Sequence, residues 1–148
     1  MIQKVGITGT RYGMNSAQEI GLAQEFMSLI LEIDEFDELE VHHGCCQGVD
    51  AQVHDMARKW KFRIVGHPPI EEFNMATYLT DYAEMREPKD YLDRNQDIVN
   101  EVSRLLAFPK GMKEERRSGT WSTIRRARKA KLDHVIFWPD GTFKVKEY

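Results

Sequence analysis

Cysteine is scarce in this chain: two residues in 148, side by side at Cys45 and Cys46. Disulfide geometry strains the peptide between adjacent cysteines, so no bridge between them is expected. There is no CxxC pair, and the neighbouring His42 and His43 have no carboxylate or further cysteine at a zinc-type spacing, so no metal site is expected. Free thiols suit a reducing compartment, and the cytoplasm is the expected location. Long apolar runs are also missing. None reaches the length of a membrane span, and Met1-Ile2-Gln3-Lys4-Val5 lacks the apolar core of a signal peptide. Positive charge is not in excess: 21 Lys and Arg face 24 Asp and Glu, a net charge of −3. That excludes a protein that coats nucleic acid with its whole surface, though not one with a single basic patch. Neither GxGxxG nor GxxxxGK[ST] occurs, which removes the dinucleotide fingerprint and the P-loop. No hydride chemistry with nicotinamide, and no other cofactor, is expected.

What remains is an ordinary globular balance of 41% apolar and 30% charged residues in a chain of single-domain length. Residues 1–148 read as one domain without repeats or linkers. Short apolar runs alternate with helix-period segments. Strands are expected at Lys4–Thr8, Leu39–His43, Phe62–Val65, Arg104–Phe108 and His134–Trp138, with an edge strand over Thr142–Val145 after the Asp140-Gly141 turn. Helices are expected at Ser16–Ile33, from Val49 to about Trp60, at Leu92–Val102 and at Ser118–Leu132. In the first, Ile20, Ala23, Met27, Ile30 and Leu31 form the expected inward stripe; in the last, Trp121, Ile124 and Ala127 do. Residues 67–92, which open on Pro68 and Pro69, read as an excursion over the sheet edge or a lid, with room for a short helix around Met75–Met85. The alternation specifies an α/β, Rossmann-like three-layer domain: a mainly parallel sheet of about five strands with helices on both faces. Right-handed crossovers put every strand-to-helix loop at one sheet edge, where such folds bind ligands.

Three of those loops carry candidate chemistry. The first, Thr8-Gly9-Thr10-Arg11-Tyr12-Gly13, combines glycines that allow a sharp turn with an arginine that offers a forked donor, just before a helix N-terminus. It reads equally as a tight turn with a surface arginine. The second, Gly44-Cys45-Cys46-Gln47-Gly48-Val49-Asp50, again joins strand to helix through two glycines. Asp50 reads either as a first-turn carboxylate that favours the helix dipole or as a ribose acceptor or orienter of the first loop. In the third, Ser118 is a natural N-cap. Gly119 and Thr120 then present amides and a hydroxyl at a helix N-terminus, a ready anion site. Residues 110–131 are strongly basic, which reads as a solvated face or as a steering field for phosphates. Arg94 and Asn95 open the helix before the fourth strand, where an arginine opposes the dipole and a ligand or carboxylate partner would explain it.

Taken in order, these elements resemble the SLOG superfamily, which includes the LOG-type phosphoribohydrolases and the DNA-processing Smf/DprA domain. Gly9-Thr10-Arg11-Tyr12-Gly13 is similar to the family's first GSR-type loop. Gly44 through Asp50, with His54, resembles the Gly-x-Asp-x-x-x-His stretch of the DNA-processing branch. Leu92 through Val99 is similar to its RN-containing helix, and Arg117-Ser118-Gly119-Thr120 to its RSG[ST] element. The resemblance implies a nucleotide-binding domain whose ligand contacts come from Gly9, Thr10, Arg11, Gly44, Gly48, Asp50, Arg94, Asn95, Ser118, Gly119 and Thr120. It implies a sensor or sequestering protein for a phosphate-bearing nucleotide or nucleotide-derived molecule, with a homodimer as an expected assembly. The alternative is a nucleoside-monophosphate N-glycosidase using Arg94. The glutamate with which LOG enzymes cleave the glycosidic bond is replaced by Thr123, so no catalytic residue is assigned, and Asp50, Glu114 and Glu115 are the substitute carboxylates available. Single-stranded nucleic-acid binding ranks last, because Trp121 belongs to an inward stripe rather than to a stacking groove.

Overall fold

The structure is a computed structural model and describes residues 2–34 and 38–148. Seven strands form one sheet: β1 (Ile2–Gly9), β2 (Glu38–His43), β3 (Arg63–Gly66), β4 (Glu84–Met85), β5 (Arg104–Phe108), β6 (His134–Phe137) and β7 (Phe143–Lys146). The helices are α1 (Ser16–Glu32), α2 (Val49–Lys59), α3 (Tyr91–Glu101) and α4 (Gly119–Lys129). The strand order is β4-β3-β2-β1-β5-β6-β7, and every neighbouring pair is parallel except β6 with β7. This is the expected α/β three-layer class. The sheet has seven strands rather than about five because β4 adds a two-residue strand beside β3 and the foreseen edge strand, β7, pairs fully with β6.

Strand alternation sorts the core into two layers. Val5, Ile7, Val41, Ile64, Leu106 and Phe108 face α1 and α2, where Leu22, Phe26, Val49, Val53 and Ala57 meet them. The opposite face sends Leu105 against Ile98 and Val99 of α3, and Ala107 and Ile136 against Trp121 and Ile124 of α4. The inward stripe expected on α4 is thus the buried one. That expected on α1 is not. Gln18, Leu22, Phe26 and Leu29 are buried, while Ile20, Met27, Ile30 and Leu31 are exposed. Helix α1 carries apolar residues on both sides, and periodicity alone favoured the longer stripe. The shorter one wins because Phe26 packs tilted against Trp60 and edge-on against Phe62. Burying each such side chain stabilises by about 1.5–3 kcal/mol. Gln18 sits in this stripe because its amide donates to the carbonyls of Pro109 and Phe137, both at 2.9 Å. It also completes a capping box with Asn15.

The short helix expected around Met75–Met85 does not form. Backbone groups there bond the second loop instead: Ala76 N–H donates to the Cys45 carbonyl at 2.9 Å and Asn74 C=O accepts from Gln47 N–H at 2.8 Å. Residues 67–92 therefore lie along the sheet edge and the second loop. No helix of the described residues is long and apolar enough to cross a membrane.

Candidate functional site

The strand order reverses between β1 and β5, whose following helices go to opposite faces. A cavity of about 440 Å³ opens there, at the carboxyl ends of the strands. Of the eleven residues singled out from the sequence, ten line it: Gly9, Thr10 and Arg11 from the first loop, Gly44 and Asp50 from the second, Arg94 and Asn95 from α3, and Ser118, Gly119 and Thr120 from the start of α4. Gly48 does not line it and lies behind the wall. Its φ of 84° and ψ of −124° belong to a region essentially restricted to glycine, and a Cβ there would overlap the backbone of Thr10 and Arg11. Val49 N–H donates to the Thr10 carbonyl at 3.1 Å, and this close approach locks the first loop onto the second. Gly48→Ala should lower stability by at least about 1–3 kcal/mol, the cost of the backbone strain alone. Urea unfolding will show this, and an unchanged midpoint would refute the locking role.

On the cavity floor Arg94 is buried and donates from two of its nitrogens. Its Nη1 donates to the Gly44 carbonyl at 2.5 Å and the His67 carbonyl at 3.1 Å, and its Nε to Asn95 Oδ1 at 2.9 Å. The partner that the sequence left unexplained is thus a pair of loop carbonyls, with Asp50 close enough to feel the charge. Asp50 Oδ2 accepts from the amides of Gly44 (3.1 Å) and Cys46 (3.2 Å). It orients the second loop, not the first, and it does not cap α2. Burial pushes its carboxyl up to about 6, against the opposing pull of Arg94 and the two amides. Cys46 also lines the cavity, but burial raises its thiol to about 11, so it is no nucleophile near neutral pH. Cys45 and Cys46 are both free.

Ser118 Oγ accepts from Trp121 N–H at 3.3 Å and caps α4. The Gly119 and Thr120 amides have no acceptor among the described residues, and the first turn holds no acidic side chain. Thr123 lies outside the cavity and donates its hydroxyl to the Gly119 carbonyl at 3.1 Å, which removes it from any chemistry there. Of the substitute carboxylates, Asp50 and Glu115 line the cavity; Glu114 instead pairs with Arg125 and Arg128. Lining residues that sequence reasoning did not single out include Tyr12, Leu92, Lys110 and Arg117, which belonged to noted motifs or to the basic stretch, and Asn74 and Tyr91, which had no local signal.

A second polar system lies under β2 and went unseen in the sequence. His42 Nε2 bonds Glu40 Oε1 at 2.6 Å, so His42 Nδ1 accepts from His67 Nε2 at 2.8 Å. On the other face, Cys45 N–H donates to His43 Nδ1, leaving His43 Nε2–H for His54 Nδ1 at 2.9 Å; His54 Nε2–H then meets the Thr80 carbonyl. His42, His67 and Glu101 offer potential metal-ligand atoms within 4.8 Å of one another. The two imidazoles already share a proton, however, and Arg86 holds Glu101 at 2.6 Å. The set is a hydrogen-bond chain rather than a coordination shell.

Fold and cavity together define a doubly wound α/β protein with a polar crevice at its topological switch point. No protein-family model and no curated protein matches the chain. Among solved structures the fold is similar to the X-ray structure of TM1055, a structural genomics target. The TM-score is 0.60, covering 89% of this chain and 72% of that one, at 18% identity. At that identity the likeness shows the fold alone.

Proposed function

We propose that the cavity binds a phosphate-bearing nucleotide or nucleotide-derived molecule, and that this domain acts as a sensor or sequestering protein for it. The observation that carries this reading is the convergence of α4's two free amides with Arg11, Lys110 and Arg117 around one crevice whose floor holds the Arg94 guanidinium. Amides at a helix N-terminus and forked guanidinium donors both recognise phosphate oxygens. The sequence resemblance to SLOG domains supports the same class of ligand. Isothermal titration with nucleoside monophosphates, the matching nucleosides and inorganic phosphate tests it. A monophosphate should bind more tightly than its nucleoside, and Arg117→Glu should weaken binding by about 1.5–3 kcal/mol, the worth of one charged hydrogen bond. Equal affinity for nucleoside and monophosphate, or no binding by either, would refute the reading.

Asp50 favours a second reading, glycosidic cleavage of a nucleoside monophosphate. A carboxyl titrating at about 6 inside the cavity is placed to exchange a proton near neutral pH. Chromatography for free base after incubation with each common monophosphate separates the two: the sequestering protein releases none.

A further inference from the structure

The cavity floor carries polar atoms that the fold leaves unused. Asp50, Arg94 and Asn95 all line it, and each is more than nine-tenths buried. Two contacts make them neighbours. Arg94 Nε donates to Asn95 Oδ1 at 2.9 Å. Arg94 and Asp50 meet over Gly44, where a Cβ would overlap the guanidinium and lie 3.1 Å from Asp50 Oδ2. One side of each group serves the protein. Asp50 Oδ2 accepts the two loop amides, Arg94 Nη1 serves the loop carbonyls, and Asn95 Oδ1 takes the Arg94 Nε proton. That leaves Asp50 Oδ1, Arg94 Nη2 and Asn95 Nδ2 without a hydrogen-bond partner among the described residues. Nor are these atoms sealed in the core: the side-chain atoms that lack both a partner and solvent belong to Tyr82, Arg86, Trp121 and Arg126. They open into the cavity. Buried polar groups are normally satisfied, so three adjacent unmet ones in one cavity call for a ligand.

We infer that this floor reads the cis-diol of a sugar: Asp50 Oδ1 accepts from the ribose hydroxyls of the ligand, and Arg94 Nη2 and Asn95 Nδ2 donate to them. The inference rests on the nucleotide reading above and makes the ligand a ribonucleotide rather than a 2′-deoxyribonucleotide. A hydroxyl both donates and accepts, so two neighbouring hydroxyls satisfy one acceptor and two donors at once. Other groups fit the set less well. A phosphate would meet the Asp50 carboxylate and find one free nitrogen on Arg94 instead of a fork. It is better served by the α4 amides, Arg11 and Arg117. An apolar group would strand all three atoms. A base would need an open ring face to stack on. The aromatic lining residues are Tyr91 and Tyr12; Arg94 lies over the Tyr91 ring at 5.3 Å, and Arg11 and Lys110 over the Tyr12 ring at 5.2 and 5.5 Å.

Isothermal titration at about pH 7.5 with adenosine, guanosine, cytidine and uridine 5′-monophosphates and the 2′-deoxy form of each tests it. The ribonucleotide should bind about tenfold or more tightly than its deoxy form, the worth of a hydrogen bond to a charged group. Two near-isosteric variants then assign the contact. Asp50→Asn keeps an oxygen for the two loop amides but turns the cavity-facing acceptor into a donor. Asn95→Asp keeps an oxygen for Arg94 Nε but turns the cavity-facing donor into an acceptor. Each should keep its circular dichroism, and in each the ratio of ribose to deoxyribose affinity should fall toward one. That ratio is the readout, because a general loss of affinity lowers both terms alike. Equal binding of ribo and deoxy forms by the unmodified protein overturns the inference and leaves the phosphate reading standing. A ratio unchanged in both variants also overturns it, by placing sugar recognition elsewhere. So does a preference among bases that the variants abolish, which would assign the floor to a base edge. Binding of no monophosphate at all overturns the nucleotide reading and this inference with it.

Discussion

Acidification from about pH 7 to about pH 4.5 should cost this protein several kcal/mol of stability, with a net uptake of protons on unfolding near pH 5. Four of the five histidines, His42, His43, His54 and His67, are buried in two hydrogen-bonded pairs. Burial lowers all four, His67 to about 3 and His43 well below the usual value. For a group with a depressed folded value, stability is full above the unfolded value near 6.5 and is lost as pH falls toward the folded one. His67 alone accounts for on the order of 3 kcal/mol between about pH 6.5 and pH 4, at about 1.4 kcal/mol per pH unit. Asp50 works in the opposite sense. Its folded value of about 6 lies above the ordinary carboxylate value, so its contribution is full below that ordinary value and is lost as pH rises through about 6. One carboxyl offsets only part of four histidines. Domain stabilities run at about 5–15 kcal/mol, so the loss is a large fraction of the whole. Urea midpoints across this pH range provide the measurement, and a midpoint flat between about pH 7.5 and pH 5 would contradict the network.

No periodicity announces those histidines. His42 and His43 read as the end of a strand, and nothing local links them to His54 or His67, because the pairing depends on strand register and on where residues 67–92 return. What local chemistry dictates was legible. Ser118 caps α4 in isolation from the rest of the fold, and the parallel α/β class follows from alternation alone. The glycine-bearing loops fell at one sheet edge because parallel strands leave them no other. The α1 stripe was misjudged because two apolar faces compete for one core, and only Trp60 and Phe62, from another element, decide between them. The partner of Arg94 was illegible for a related reason: it is a pair of carbonyls, and a carbonyl leaves no trace in residue identity.

The second large effect is expected at Arg94 and is coupled to Asp50. Arg94→Ala removes the donor for the Gly44 and His67 carbonyls and the cation nearest Asp50, all in buried surroundings. Breaking a buried charge cluster by removing one member costs about 3–5 kcal/mol, mostly through the charge left unpaired. Without Arg94 the Asp50 carboxyl should titrate above its present value of about 6, so the penalty should be larger at about pH 7.5, where Asp50 must ionise, than at about pH 5, where it is already protonated. Asp50→Asn keeps an acceptor for the Gly44 and Cys46 amides but carries no charge. Combined with Arg94→Ala it should restore about 1–2 kcal/mol at the higher pH and close to nothing at the lower. Urea unfolding of the unmodified protein, both single variants and the double variant at the two pH values gives the coupling energy directly. Additivity at both would mean that the two side chains do not sense one another and that the cavity floor is held by the carbonyl contacts alone. Coupling that appears only above about pH 6 would establish a charge-compensated pair at the base of the crevice. There Arg94 holds the loops in place and keeps the Asp50 proton within reach of neutral pH.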